Sequence, residues 1–142
     1  RRLWVDGFVI RRFPVTVAEY ATFLGDTLGE DSIRRWSPPE HPSDRLRQGA
    51  RIFFEEQGQV GWRPQVMGFP LEGRMPVAHL DASCAMAFAR WTEARTQQPW
   101  RLVRAWEREK AARGVDGRTL PWGDHFEPTW AVVQAASVGT AA

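Results

Sequence analysis

The sequence predicts a small α+β fold with two or three helices, few and short strands, and much irregular chain. Three observations carry that expectation. Apolar residues recur at helical spacing near 16–25, 82–95 and 103–113. An alternating run at 8–12 and an extended piece at 59–62 are the strand candidates. Glycine and proline, 12 and 10 of the 142 residues, gather between these stretches and break the chain into short elements.

Taken in order, Phe8, Ile10 and Arg12 alternate with Val9 and Arg11, which suits a strand with one buried face, and Pro14 ends it. Thr16 followed by Glu19 is a capping box, so a helix is expected from Val17. Val17, Tyr20, Ala21 and Leu24 then share one face, and Gly25 closes the element. Between 25 and 75 the breakers dominate, among them Ser37-Pro38-Pro39, His41-Pro42, Gly58, Gly61, Pro64 and Pro70. Within that stretch a short helix is expected at 45–54.

The run from Met75 to Leu80 reads as a strand feeding a second helix, with Asp81 as its N-cap. Cys84, Ala85, Phe88 and Trp91 fall on one face of that helix, where the small alanine permits close packing. After Pro99-Trp100 the third helix runs to Gly114, which sits where a left-handed C-terminal residue is needed. Lys110 and Arg113 complement the negative end of its dipole. Asp116-Gly117 is a turn pair, and Pro121-Trp122-Gly123-Asp124 is a second bend with an aromatic pinned in it.

Composition limits the function classes. A length of 142 residues suits one domain with a real core. The net charge of +2 comes almost wholly from arginine, with Lys110 the only lysine, and offers little attraction for nucleic acid. No apolar run approaches the roughly 20 residues that span a bilayer. The single cysteine, Cys84, excludes an internal disulfide, which favours a cytoplasmic setting. The chain does not open with Met, so it is expected to be a piece of a longer polypeptide.

Two stretches resemble the formylglycine-generating enzyme (sulfatase-modifying factor) family. The first is Ala111-Ala112-Arg113-Gly114, then Asp116-Gly117-Arg118, then Leu120-Pro121-Trp122-Gly123-Asp124; the second is Pro14-Val15-Thr16, feeding a helix that carries Tyr20 and Phe23. A third match, weaker in detail, runs from Pro76-Val77 through Asp81 to Trp91. The structural signature is therefore Pro14, Thr16, Glu19, Trp91, Gly114, Asp116, Gly117, Pro121, Trp122 and Gly123. The resemblance implies a C-type-lectin-like fold, of which residues 1–142 would be the N-terminal part.

Departures from the family pattern are as telling as matches. The family's Asn after Pro-Val-Thr is Val17 here, its Ser-Trp pair is Asp81-Ala82, and its helix Asp is Cys84. Its Thr cap and first Glu of the third helix are Arg104 and Ala105, a cap loss of about 1 kcal/mol. Where the family places an Asn linked to calcium, this chain reads Ala131-Val132-Val133, and valine offers no side-chain oxygen to a hard cation. The family's two copper-binding cysteines belong to its C-terminal half. Cys84 aligns with neither, lacks the polar setting that lowers a thiol pKa, and reads as a buried structural cysteine. No catalytic, cofactor or metal residue is therefore expected in this chain. Calcium or copper would bind only with ligands from the missing half.

Other constellations read as scaffold. His41, His79 and His125 show no ligand spacing, and Ser83 with His79 and Asp81 has no nucleophile elbow around it. The arginines at 34–35 and 45–51 read as solvated or ion-paired surface. Trp91, Trp106 and Trp122 read as core or turn anchors, whereas Trp4, Trp36, Trp62 and Trp130 are candidates for a ligand-binding face.

The expectation is a non-catalytic, lectin-like binding or sensor module of a larger bacterial protein. It would resemble the variable proteins of diversity-generating retroelements and the domains fused to bacterial Ser/Thr kinases. Its partners would be the remainder of the same polypeptide or a second chain completing the domain, and a protein or small-molecule ligand. The alternative is part of a copper-dependent formylglycine-generating oxidase, or of a related iron-dependent sulfoxide synthase, with its catalytic residues downstream.

Overall fold

The computed structural model describes residues 4–27, 30–40, 49–114 and 116–130. Among these the chain is α+β, with four α-helices, two antiparallel hairpins and one 3-10 turn. It divides into two compact units: 11–102, and a second made of 1–10 with 103–142.

In the 11–102 unit, helix α1 (Val17–Asp26) starts where the capping box demands. The Thr16 hydroxyl accepts from the Glu19 amide at 3.3 Å, and the Glu19 carboxylate accepts from the Thr16 amide at 2.9 Å. Val17, Tyr20, Ala21 and Leu24 are buried as their spacing predicts, and Phe23 joins them. Gly25 does not close this helix. It runs on to Asp26, because the Thr27 amide and hydroxyl both donate to the Phe23 carbonyl, at 3.2 and 2.9 Å.

Helix α2 (Glu30–Trp36) was not expected from the sequence; it buries Ile33 and ends at Ser37-Pro38, where proline cannot continue it. The helix expected at 45–54 is corrected at its C-terminal end, while 45–48 lie outside the described residues. Arg51 makes an isolated bridge with Pro39, and strand β1 (Phe53–Glu56) pairs antiparallel with β2 (Gln59–Trp62), the extended piece foreseen at 59–62. The reason is the turn. Gln57 and Gly58 both take positive φ, 53° and 77°, which is the geometry of a tight two-residue hairpin. The Ser37 hydroxyl then satisfies the Phe53 backbone, accepting from its amide at 3.0 Å and donating to its carbonyl at 3.2 Å. A second short hairpin pairs β3 (Gln65–Val66) with β4 (Phe69–Pro70).

Helix α3 (Ala82–Thr96) has the expected cap, with Asp81 Oδ1 accepting from the Cys84 amide at 2.8 Å. The strand expected before it is reduced to a Thr16–Pro76 bridge, supported by Val17 N–H to Met75 O and Val77 N–H to Val15 O, each 2.9 Å. These bonds bring the start of α1 beside the lead-in to α3. The core closes between the two helices and β1: Tyr20, Phe23, Leu24, Phe53, Cys84 and Phe88 are its centre. Phe88 stands 5.7 Å from Tyr20, 5.6 Å from Phe23 and 5.3 Å from Trp91, ring centre to ring centre. Edge-to-face and offset contacts of this kind add to simple burial.

The strand expected at 8–12 does not form. Val9 is 90% exposed and Phe13 67% exposed, and no described strand pairs with this segment. Alternation alone does not make a strand without a ladder partner to take its backbone hydrogen bonds. In the second unit, helix α4 (Ala105–Arg113) starts two residues later than expected, because Arg104 is extended and acts as the N-cap. Its end leads into the turns at 114–124 and a 3-10 turn at Pro128–Trp130.

Candidate functional site

The signature run after α4 is a built structure, and Arg113 is its clip. The Arg113 guanidinium donates to the carbonyls of Arg118 at 2.6 Å and Gly117 at 2.8 Å, and to the Glu109 carboxylate one helical turn back at 2.8 Å. A single planar fork thus joins the helix to two consecutive carbonyls of the turn that follows it. Arg118 repeats the device on the next bend, donating to Asp116 Oδ1 at 3.0 Å and to the Pro121 carbonyl at 3.1 Å. Gly114 is required twice over: its φ is +66°, and a Cβ there would lie 3.0 Å from Asp116 Oδ1 and 3.1 Å from the Arg118 guanidinium. Its amide closes the helix on the Lys110 carbonyl at 3.0 Å.

The second bend is locked by reciprocal bonds between Leu120 and Gly123, at 2.9 and 3.0 Å. Asp124 braces it by accepting from the Thr119 amide at 2.7 Å. The Arg118 hydrogen bond holds the Asp116 carboxyl below its ordinary pKa, and the Thr119 amide does the same for Asp124. Both acids therefore stay charged as turn braces. Trp122 is half-buried, donates Nε1–H to the His125 carbonyl at 3.0 Å, and meets Trp130 edge-to-face at 6.4 Å.

The candidate ligand-face tryptophans fall into two settings. Trp36 and Trp62 are half-buried against the core of the 11–102 unit, and Trp62 Nε1–H donates to the Leu71 carbonyl at 3.3 Å. Trp4 and Trp130 belong to the other unit and are exposed, 87% and 59%. Trp91 is the core anchor its spacing predicts. Trp106 is not: it is 45% exposed, because α4 turns Glu107 inward instead, leaving the indole against Arg104.

Glu107 is a functional side chain that sequence reasoning missed. Its carboxylate accepts from the Arg104 amide at 2.8 Å, supplying half of a capping box although Arg104 itself offers no cap. A Glu three residues after the N-cap Arg104 was the available signal. The cap loss expected at Arg104 is offset to that extent.

Cys84 is fully buried, as its apolar face predicts. His79 sits at positive φ, 60°, with Nδ1 3.3 Å from the Pro39 carbonyl, and His125 lies beyond the second bend in the other unit. His41 and Ala131-Val132-Val133 lie outside the described residues. Among the described residues no three His, Cys, Asp or Glu side chains converge as metal ligands. No helix of the described residues is long and apolar enough to cross a membrane.

The family description "Sulfatase-modifying factor enzyme 1-like domain" matches residues 1–139. The chain belongs to that family. Among curated relatives it is 34% identical to hercynine oxygenase of Mycolicibacterium smegmatis over 123 residues, 84% of this chain and 27% of that protein. It is 28% identical to formylglycine-generating enzyme of Mycobacterium tuberculosis over 148 residues, 87% of this chain and 47% of the relative. It is also 27% identical to the uncharacterized protein YfmG of Bacillus subtilis, over 90% of this chain and 22% of the relative. The chain therefore spans between about a fifth and a half of the length of these relatives. No solved structure matches significantly. The Arg113 clip and the Thr16–Glu19 box are two places where motif and geometry coincide.

Proposed function

We propose that this chain is the non-catalytic scaffold of a formylglycine-generating-enzyme-type domain with a C-type-lectin-like arrangement. The intact protein, on this reading, is an oxygen-dependent sulfur-oxidising enzyme of the hercynine oxygenase kind. One observation carries it. The turns of the signature run are held by hydrogen bonds from Arg113 and Arg118, in a chain 34% identical to a hercynine oxygenase. Such a clip fixes where the chain beyond it starts, so its work is to position residues rather than to react. The reacting groups and any iron or copper ligands would come from the remainder of the polypeptide.

A second reading is favoured by a different observation. Val17 and Cys84, which replace a polar Asn and Asp of the family pattern, are buried in the hydrophobic core. That exchange of polar groups for packing suits a binding or sensor module that has kept the scaffold alone.

Oxygen uptake by the intact protein separates the readings. With iron(II), hercynine and a thiol, the proposal expects turnover and a new carbon–sulfur product by mass spectrometry. Turnover with copper(I) on a cysteine peptide instead would assign the formylglycine-generating activity. Inertness towards both, with normal folding, would overturn the enzyme reading in favour of the binding module. Cys84→Ser should leave turnover intact apart from lost stability.

A further inference from the structure

A cleft in the 11–102 unit gathers arginines beside an aromatic side chain. It lies between the last turn of α2 and the outer side of the β1–β2 hairpin, with a volume of about 550 Å³. Among the described residues its lining includes the arginines Arg34, Arg51 and Arg63 and the acid Glu55. Arg34 and Arg51 come from the two arginine clusters that the sequence shows, and Arg63 joins them from the end of the hairpin.

Two of the three are held in place. Arg51 Nη1 donates to the Ser37 carbonyl at 3.0 Å, on the buried corner that ends α2. Arg63 Nε donates to the Arg51 carbonyl at 2.7 Å, which leaves its terminal amino nitrogens as the outer prongs of the fork. Among the described residues Glu40 competes for Arg63, 3.7 Å from its Nε with both side chains partly exposed. A pair that long and wet is easily exchanged.

The apolar wall is also fixed. Phe54 is 41% exposed, yet its ring lies flat against the hairpin opposite Gly61. A Cβ at Gly61 would fall 2.9 Å from two of its ring carbons, so glycine is what allows the ring to lie there. An aromatic surface therefore stands beside a positively charged rim.

We propose that this cleft binds an organic carboxylate, with Arg34 and Arg63 taking the carboxylate and Phe54 the apolar body of the ligand. Guanidinium forks match a planar carboxylate in two-point fashion, and fixing them in advance lowers the ordering cost of binding. A bare inorganic anion would use the rim but gain nothing from Phe54. The site stands independently of the proposed oxidase chemistry.

The test is an NMR titration of the full chain with 3-phenylpropionate, its neutral analogue 3-phenylpropanamide, and inorganic phosphate. Saturable shifts are expected at the Arg51 and Arg63 Nε–H signals and at the Phe54 and Gly61 amides. The amide analogue should bind about tenfold more weakly, because it forfeits the charge-assisted bonds. Arg34→Gln and Arg63→Gln should each weaken the carboxylate about fivefold. Arg63→Gln also removes a bond that braces the hairpin, so its circular dichroism is compared with wild type; Arg34→Gln, at an exposed position, stands free of that complication. Equal binding of acid and amide would overturn the proposal. So would phosphate binding as tightly as phenylpropionate, shifts confined to other surfaces, or Arg34→Gln leaving affinity unchanged.

Discussion

Replacing Phe88 by alanine removes the ring around which the aromatic core is organised. Phe88 is 8% exposed and stands within 6 Å, centre to centre, of the rings of Tyr20, Phe23 and Trp91. Those neighbours are poorly placed to fill the space. Tyr20 is anchored by its hydroxyl to the Trp36 carbonyl at 2.8 Å, and Trp91 by its Nε1–H to Asp26 at 3.2 Å. Asp26 is further paired with Arg95, whose guanidinium lies 4.9 Å over the Trp91 ring. The cavity should therefore stay largely open, which places the loss at about 4 kcal/mol, in the middle of the usual range for Phe→Ala. Set against the ~5–15 kcal/mol that holds a typical domain together, that is a large share. Urea unfolding followed by tryptophan fluorescence reads it as a lower midpoint at an unchanged slope. Phe88→Leu, which keeps most of the volume, should cost only about 1.5 kcal/mol. If the alanine variant lost less than ~1 kcal/mol, or leucine cost as much as alanine, the picture of a tightly held aromatic core would be wrong.

Two further outcomes follow from the hydrogen-bonded braces. Partial burial raises the Glu19 pKa, but bonds from the Thr16 amide and Arg11 outweigh it and leave the carboxyl below its ordinary value. A lowered folded-state pKa means stability that is present above the unfolded value of about 4.3 and lost as pH falls through the folded one. The Glu19 side chain is 42% exposed, so Glu19→Gln should cost less than about 1 kcal/mol at pH 7. Denaturant titrations at several pH values should show that difference shrink steadily as pH falls below the unfolded value; a gap that does not shrink with acidification would contradict the linkage. Arg113→Gln should free the Gly117 and Arg118 carbonyls and raise hydrogen exchange at the Leu120 and Gly123 amides about tenfold. Arg113→Lys should not restore protection, since one ammonium cannot replace the fork; unchanged exchange in both variants would refute the clip.

Thr16 with Glu19, Asp81 before an apolar stripe, and Gly114 after Arg113 were all legible as helix boundaries. Each is a bargain between a side chain and backbone groups a few residues away, and such local chemistry is written in consecutive letters. The buried face of α1 and the fate of Cys84 were readable for the same reason, through helical period. The family, too, showed in the spacing of turn residues at 111–124, because each of those positions admits few alternatives.

Elsewhere the outcome depended on partners distant in the chain. The alternating segment at 8–12 found no neighbouring strand, while 53–56, with a weaker pattern, became a strand because Gln57-Gly58 turned it back on 59–62. Trp106, expected as an anchor, is exposed while its neighbour Glu107 is buried, since which face of α4 turns inward is set by packing and not by the helix itself. The same holds for the arginine cleft. Arg34, Arg51 and Arg63 share a rim only once Ser37 has locked α2 to β1 and the hairpin has closed. Local bonds are encoded where they are made; contacts across the fold exist only after the core has brought their two halves together.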